Sequence, residues 1–242
     1  MREHAGEVRA EETASRVFTE SEVHVRAAGA VLTGDLGVPE GVRGVVLFVH
    51  ESGSVRRSAG DRLVARSLQA RGFATLLLDL VTPDEERHAA RAREHRFGVS
   101  LLSERLVAAT DWLSEAVRSA PLPIGYFGVS HGKGVALVAA AARRDDVHAV
   151  VSWVGRPELA ADALPWVCAP TRLIVGEGTE PVLTLDIRAM AAMRAPTRLE
   201  LVPRSAHLFE APGAVDKIAM LAGQWFEAHL GARTASLDSV GV

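Results

Sequence analysis

The segment with the clearest chemical signature is Gly128-Val129-Ser130-His131-Gly132, which matches the pattern G-x-S-x-G. It stands between an apolar run at 123–129, typical of a buried strand, and an alanine-rich stretch at 131–143, typical of a helix. A sharp strand-to-helix turn would force the serine side chain outward, and flanking glycines lack the Cβ atoms that would collide with neighbouring backbone. The pattern predicts Ser130 as a nucleophile. We expect the side chain of His131, which enters the helix, to point elsewhere, with a place in the lining of the pocket as the alternative.

A serine hydroxyl needs a base, and His207 is placed to serve as one. It lies in the loop 203–210, after an apolar run at 197–202 and before the last predicted helix. In a chain ordered as nucleophile, acid and histidine, this is the position of the base. We therefore predict Ser130 and His207 as catalytic partners.

These residues need a scaffold, and the hydrophobic pattern of the chain predicts an α/β fold. Apolar runs alternate with segments of helical period, as in βαβ units that build a mainly parallel sheet with helices on both faces. Residues 22–27 and 30–36, on either side of Ala28-Gly29, indicate an N-terminal antiparallel hairpin. Further strands are predicted at 44–49, 74–80, 123–129, 147–153, 171–175 and 197–202. Helices are predicted at 61–72, 100–117 with Ser100 as N-cap, 131–143, 184–194 and 213–230.

Length and composition limit the class of protein. The 242 residues, 48% of them hydrophobic, can bury one large core, so we expect a single domain over 19–231 with flexible ends at 1–18 and 232–242. No apolar run is long enough for a membrane helix, the N-terminus is charged, and Cys168 is the only cysteine. We expect a cytoplasmic monomer or homodimer that acts on a small molecule without contacting membranes.

The charge distribution argues against nucleic acid as a partner. The net charge of −3 comes from 27 basic and 30 acidic residues that alternate in sign instead of forming a basic block. Nothing in the sequence implies a metal or an organic cofactor.

The chain resembles the dienelactone hydrolase family from about residue 22 to residue 230. The resemblance is carried, in order, by VLFVHESGSVRRS at 46–58, RGFATLLLDLVTP at 71–83, IGYFGVSHG at 124–132, APTRLIVGEGTEPV at 169–182 and SAHLFEAPGA at 205–214. It implies an α/β-hydrolase fold with Ser130 and His207 as catalytic residues. It also implies an oxyanion hole built from the backbone amides of His131 and of a residue in the 50–53 loop, with Ser52 as a candidate.

The position expected to carry the acid of the triad is occupied by Thr179. Related chains usually have an aspartate there, which orients the histidine and stabilises the imidazolium, and a threonine cannot supply that negative charge. Glu177 and Glu180 flank the position, and Glu158 follows the preceding strand. Of these we favour Glu180. Alternatively the acid is lost and the site has been adapted to other chemistry.

Further residues are predicted to border the pocket. Glu51 lies where many hydrolases have glycine, whereas dienelactone hydrolases carry a glutamate at the matching place, so Glu51 could contact the Ser130 hydroxyl. Lys133, three residues past the nucleophile, could form an ion pair with Glu51. Trp153 is a candidate apolar wall, and the charged segment 81–98 a candidate lid.

The reaction we expect is acyl transfer. Ser130 would attack the carbonyl of an ester or lactone of a small organic molecule, His207 would take the proton, and water would release the acyl-enzyme. Two alternatives remain open: a non-hydrolytic enzyme that catalyses cyclisation or rearrangement with Glu51, Lys133 or His207 as acid or base, and an inactive protein that binds a small molecule.

Overall fold

A sheet of eight strands is the frame of the protein. The computed structural model describes residues 18–50, 55–92, 97–116, 121–203 and 213–230. Within these ranges the strands are β1 (Phe18–Ala27), β2 (Ala30–Pro39), β3 (Gly44–Val49), β4 (Phe73–Leu78), β5 (Ile124–Val129), β6 (Val147–Trp153), β7 (Thr171–Gly176) and β8 (Thr197–Val202). The α-helices there are α1 (Ala59–Ala70), α2 (Pro83–Ala92), α3 (Val99–Ala116), α4 (Gly132–Ala142), α5 (Glu180–Ala192) and α6 (Ala214–Leu230).

The strand order β1-β2-β4-β3-β5-β6-β7-β8 places β5 near the middle of the sheet. The pairs β1–β2 and β2–β4 are antiparallel, and every pair from β4 to β8 is parallel. Strands β3, β4, β5 and β7 are buried along their whole length, as expected where helices cover both faces. One core cluster lies under α1 and α6, and the other lies under α3, α4 and α5.

The predicted N-terminal hairpin is confirmed, with longer strands than predicted. Ala28 and Gly29 form its turn with φ of 44° and 78°, and Ala27 pairs with Ala30. Positive φ at both residues is the geometry of two-residue hairpin loops that match the twist of the strands. Asp35 of β2 accepts hydrogen bonds from the side chains of Arg56, at 2.9 Å, and Arg62, at 3.2 Å, which ties the hairpin to the start of α1.

The prediction that Ser100 caps a helix was wrong. Helix α3 begins one residue earlier, and the Leu102 N–H already donates to the Gly98 carbonyl. Ser100 therefore lies inside the first turn, where its hydroxyl donates to Glu104 at 3.3 Å. A serine near a helix start is a common cap, but the turn before it decides which residue takes that position.

Helix α2 was not predicted, although its start carries a recognisable signal. The hydroxyl of Thr82 accepts the Glu85 N–H, and the Glu85 carboxylate accepts the Thr82 N–H at 2.8 Å, which is a capping box. Arg105 of α3 donates two hydrogen bonds to the same carboxylate, at 2.6 and 2.8 Å, and lowers the pKa of Glu85 to about 2. The first half of the candidate lid, 81–98, is thus a helix attached to α3.

Candidate active site

Ser130 forms the turn between β5 and α4 in a backbone conformation that is rare outside glycine. Its φ is +56°, and its N–H donates to the carbonyl of Trp153 at 3.2 Å. Neighbouring backbone segments pack so closely against this turn that there is no room for a side chain at two glycines beside it. A Cβ at Gly132 would collide with the Val49 carbonyl, and a Cβ at Gly155 would collide with the Ser130 carbonyl. A strained strand-to-helix turn of this kind presents its central side chain at the carboxyl edge of the sheet.

The side chain of His131 lies beside that of Ser130, so the expectation that it points elsewhere was wrong. Its Nδ1 is 3.4 Å from the Ser130 Oγ, and both residues are half-buried. His131 is also the N-cap of α4, with φ of −64° and ψ of −22°. The N-terminal end of a helix presents backbone N–H groups and the positive end of the helix dipole, both of which favour a developing oxyanion.

Thr179 occupies the loop between β7 and α5, at the end of the sheet where a triad acid would stand. Its hydroxyl donates to the Gly176 carbonyl at 2.6 Å, and α5 begins at the next residue, four residues earlier than predicted. Because the hydroxyl proton is engaged, Thr179 Oγ1 can act towards any further group only as an acceptor.

The candidate acids differ in their surroundings. Glu177 and Glu180 are exposed to solvent. Glu158, in the short helix Pro157–Ala160, is half-buried, and its Oε1 accepts a hydrogen bond from Arg156 at 2.5 Å. Its Oε2 is buried and has no hydrogen-bond partner in the part of the chain that the structure describes. Glu158 therefore has an enclosed carboxylate oxygen, which the preferred candidate Glu180 does not show.

Lys133 forms a buried ion pair with Asp186 of α5. Its Nζ is 2.8 Å from each carboxylate oxygen, and neither side chain is exposed. Burial lowers the pKa of Lys133 and raises the pKa of Asp186, in both cases against the attraction between the two charges. The carboxylate of Glu158 lies close enough to act on both groups.

This pair changes the interpretation of Lys133. Its enclosed ammonium has Asp186 as partner, whereas the alternative partner Glu51 lies outside the described residues. The backbone N–H of Lys133 donates to the Ser130 carbonyl at 3.1 Å, so the ion pair links the Ser130 turn to the helix that follows Thr179. Sequence reasoning missed Asp186, although a lysine within an apolar helix signals that a carboxylate must be near.

Trp153 is placed inside the protein. Its side chain is fully buried in the core cluster under α1 and α6, and its indole N–H has no hydrogen-bond partner among the residues described. Its carbonyl, rather than its ring, takes part in the site by holding the Ser130 N–H. The remaining predicted site residues, which lie outside the described ranges, are Glu51, Ser52 and His207.

A second buried carboxyl lies near the start of the loop after β3. Asp61, in the first turn of α1, is completely buried, and its N–H donates to Ser58. Burial raises the pKa of Asp61, against the opposite effects of the hydrogen bond with Ser58 and of the neighbouring His50. The loop that would complete the oxyanion hole thus begins beside a histidine and a buried carboxyl. Sequence reasoning did not find Asp61, since its burial depends on how α1 packs.

A cleft of about 420 Å³ opens at the carboxyl end of β4, two strands away from β5. Strands lie about 4.8 Å apart, so this cleft is on the order of 10 Å from the strand that carries Ser130. Arg56, Arg57, Asp79 and Glu86 contribute charges to its walls, and Val81 contributes apolar surface. Burial raises the pKa of Asp79 to about 6.

The described residues offer no cluster of three or more histidine, cysteine, aspartate or glutamate side chains that could hold a metal ion. Within the same ranges no helix is long and apolar enough to cross a membrane.

A mainly parallel sheet with a left-handed serine between its central strand and the next helix defines an α/β-hydrolase. Dienelactone hydrolase from Anabaena variabilis is 48% identical, with a TM-score of 0.84 over 88% of this chain and 99% of that chain. The protein belongs to the dienelactone hydrolase-like family, which confirms the predicted fold class and the resemblance seen in the sequence. No protein-family model matches the chain.

More distant structures share the fold alone. Carboxyl esterase 2 from Tuber melanosporum is 17% identical, with a TM-score of 0.67 over 90% of this chain and 89% of that chain. A dienelactone hydrolase-like promiscuous phosphotriesterase from metagenomic libraries is 16% identical, with a TM-score of 0.68 over 88% of this chain and 99% of that chain.

Curated relatives from two strains of Mycobacterium tuberculosis, named provisionally as phosphoribosyl transferases, are 49% identical over 211 residues. The match covers 87% of this chain and 47% of each relative, so the chain spans about half the length of these proteins. The name of these relatives therefore refers to proteins that are about twice as long as the matched region.

The buried ion pair gives a prediction for stability. Asp186→Asn leaves the Lys133 ammonium buried without a counter-charge, which should lower the free energy of unfolding by about 3 to 5 kcal/mol. The double variant Lys133→Met/Asp186→Leu removes both charges and should recover most of that loss. Urea denaturation at neutral pH measures both, and equal stability of Asp186→Asn and wild type would contradict the structural role.

Asp79 gives a prediction for pH dependence. Its pKa of about 6 lies above the ordinary 3.8, so the folded state binds a proton more tightly than the unfolded state. The contribution of Asp79 to stability is therefore greatest below pH 3.8 and is lost as the pH rises through 6. Asp79→Asn should gain stability relative to wild type as the pH rises from 4 to 7. Thermal or urea unfolding of both proteins across this range tests the sign, and parallel curves would refute it.

Proposed function

We propose that this protein hydrolyses esters or lactones of small organic molecules through an acyl-enzyme on Ser130. The observation that carries the proposal is the left-handed serine turn between β5 and α4. Such strain, about 1 to 3 kcal/mol, is kept at functional sites because it presents the hydroxyl to a substrate. The name of the 48% identical dienelactone hydrolase supports the same reaction class.

In the proposed reaction the Ser130 Oγ attacks the carbonyl carbon and forms a tetrahedral intermediate. The base, His207, takes the hydroxyl proton and returns it to the leaving oxygen as the carbon–oxygen bond breaks. Water, activated by the same base, then attacks the carbonyl carbon of the acyl-enzyme, which releases the carboxylic acid product and restores the Ser130 hydroxyl. The backbone N–H of His131 and one from the 50–53 loop, with Ser52 as candidate, stabilise the oxyanion.

His131 is a second possible base because its Nδ1 is 3.4 Å from the nucleophile. The 3.4 Å distance is long for a hydrogen bond along which a proton must be transferred. We assign the base to His207 on the order of residues along the chain, and His131 serves as the natural comparison in the test.

The acid of the triad is replaced by a neutral acceptor in this proposal. Thr179 Oγ1 donates its proton to the Gly176 carbonyl and so offers only lone pairs to an imidazole N–H. It can orient the base but cannot stabilise the imidazolium by charge. Glu158 is the best remaining carboxylate, since Glu180 is exposed at the start of α5.

A non-hydrolytic reaction in the same pocket is the second candidate, favoured by Thr179 at the acid position. In that case Glu51 or His207 would act as acid or base, since Lys133 is enclosed by its ion pair. A product screen that includes Glu51→Ala and Ser130→Ala separates this reaction from simple ligand binding. Cytoplasmic localisation stays a prediction.

Labelling with a fluorophosphonate probe tests the nucleophile. Wild type should gain the mass of one probe, Ser130→Ala should gain none, and His207→Ala should react at least about a thousandfold more slowly, as expected for loss of a triad member. His131→Ala is the matched control and should keep most of its reactivity. Absence of labelling in folded wild type, or labelling that depends on His131 instead of His207, would refute the assignment.

Introducing the missing carboxylate tests the role of Thr179. Thr179→Asp should raise kcat/KM for a p-nitrophenyl ester by about tenfold or more, because a carboxylate stabilises the imidazolium. It should also shift the acid limb of the pH–rate profile to higher pH, since a nearby negative charge raises the pKa of a histidine. Thr179→Val, which removes the acceptor, should lower the rate. An unchanged profile in both variants would show that the base does not contact this position.

A further inference from the structure

Strand β8 forms one edge of the sheet and is paired with β7 alone among the strands described. The other edge, β1, exposes mainly polar side chains, including Thr19, Glu20 and Glu22. In β8 the apolar Leu201 is 48% exposed within the strand, whereas the exposed apolar residue of β1, Phe18 at 40%, lies at the very start of its strand. An edge strand with exposed apolar side chains offers its free backbone groups to another strand.

The backbone groups of β8 alternate between its two sides. The Pro196 carbonyl accepts the Thr171 N–H at 2.9 Å, and the Val202 carbonyl accepts the Glu177 N–H at 3.0 Å. Even-numbered residues therefore direct their backbone groups towards β7, and odd-numbered residues direct theirs outward. The residues that present N–H and C=O at the open edge are Thr197, Leu199 and Leu201.

An antiparallel copy of β8 centred on Leu199 would satisfy all of these groups. Leu199 would exchange both of its hydrogen bonds with Leu199 of the second copy, and Thr197 would exchange its own with Leu201 of that copy. A two-fold axis produces this arrangement, because both copies then offer the same edge.

The same register brings opposite charges together. Arg198 would stand opposite Glu200 of the second copy, at non-hydrogen-bonded positions where side chains approach closely. Arg198 is exposed and has no ion-pair partner in the described ranges, and the Glu200 side chain is 36% exposed, 3.6 Å from Arg172. Registers centred one residue to either side would instead set Arg198 against Arg198 or Glu200 against Glu200.

The apolar face of the edge would be covered in this pairing. Val202 is buried under α6, so Leu199 and Leu201, which alternate with it, face the side of the sheet that carries α5. On α5, Ile187 is 54% exposed. A second copy would bring the same apolar side chains to the same face, where they could bury one another.

We infer that this protein forms a two-fold homodimer in which the β8 strands of two copies pair antiparallel about Leu199. The two sheets then form one continuous sheet across the dimer. The occupant of the edge is a second copy of this chain because its own sequence complements the edge in hydrogen bonding, charge and apolar surface at a single register.

Sedimentation velocity over a range of concentrations tests the dimer by exchange of charges. Arg198→Glu and Glu200→Arg should each raise the dimer dissociation constant by about tenfold or more, because each places like charges in contact. The double variant Arg198→Glu/Glu200→Arg restores opposite charges and should return the constant to within a few-fold of wild type. Arg66→Glu makes an equal change of charge at an exposed position of α1, far from β8 in the sheet order, and should leave the dissociation constant unchanged.

Thr197→Pro is an independent test, because it leaves the hydrogen bonds between β8 and β7 unchanged. It removes an N–H that points outward, so it should weaken the dimer while circular dichroism shows an intact fold. A wild type that stays monomeric at every concentration would overturn the inference. A dimer whose dissociation constant is unchanged by the charge swaps and by Thr197→Pro would overturn it as well.

Discussion

The close approach of three backbone segments around Ser130 is the constraint on which the rest of the structure depends. The serine turn meets the end of β3 on one side and the loop after β6 on the other, and glycine is needed at both contacts. Three neighbouring parallel strands must therefore end at matching heights. The helices on both faces of the sheet hold those strands in place, so the whole core supports the unfavourable φ of Ser130.

The buried Lys133–Asp186 pair extends this support beyond the turn. Taking two charges out of water costs several kcal/mol per ion, and the attraction between them offsets that cost only in good geometry. The pair meets that condition with two hydrogen bonds of 2.8 Å. The pair therefore contributes more to orientation than to stability, because it fixes how α5, and with it Thr179, packs against α4, the helix that follows Ser130.

Local patterns in the sequence predicted what depends on local structure. The hairpin at Ala28-Gly29, the alternating strands and helices, and the serine turn all follow from turn chemistry and hydrophobic period. The start of α3, the existence of α2 and the partner of Lys133 depend on contacts between distant segments, such as Arg105 with Glu85. A single sequence does not record such contacts, and its capping-box signal at Thr82 is short enough to be missed.

Lysine usage gives the enclosed ion pair a practical consequence. Lys133 and Lys217 are the two lysines in the chain, and Lys217 is exposed on α6. An amine-reactive reagent should therefore modify Lys217 readily, whereas Lys133 can react only when α4 and α5 separate and its pair opens. The modification rate of Lys133, measured by mass spectrometry, therefore reports how often the structure next to Ser130 opens locally, without any engineered label.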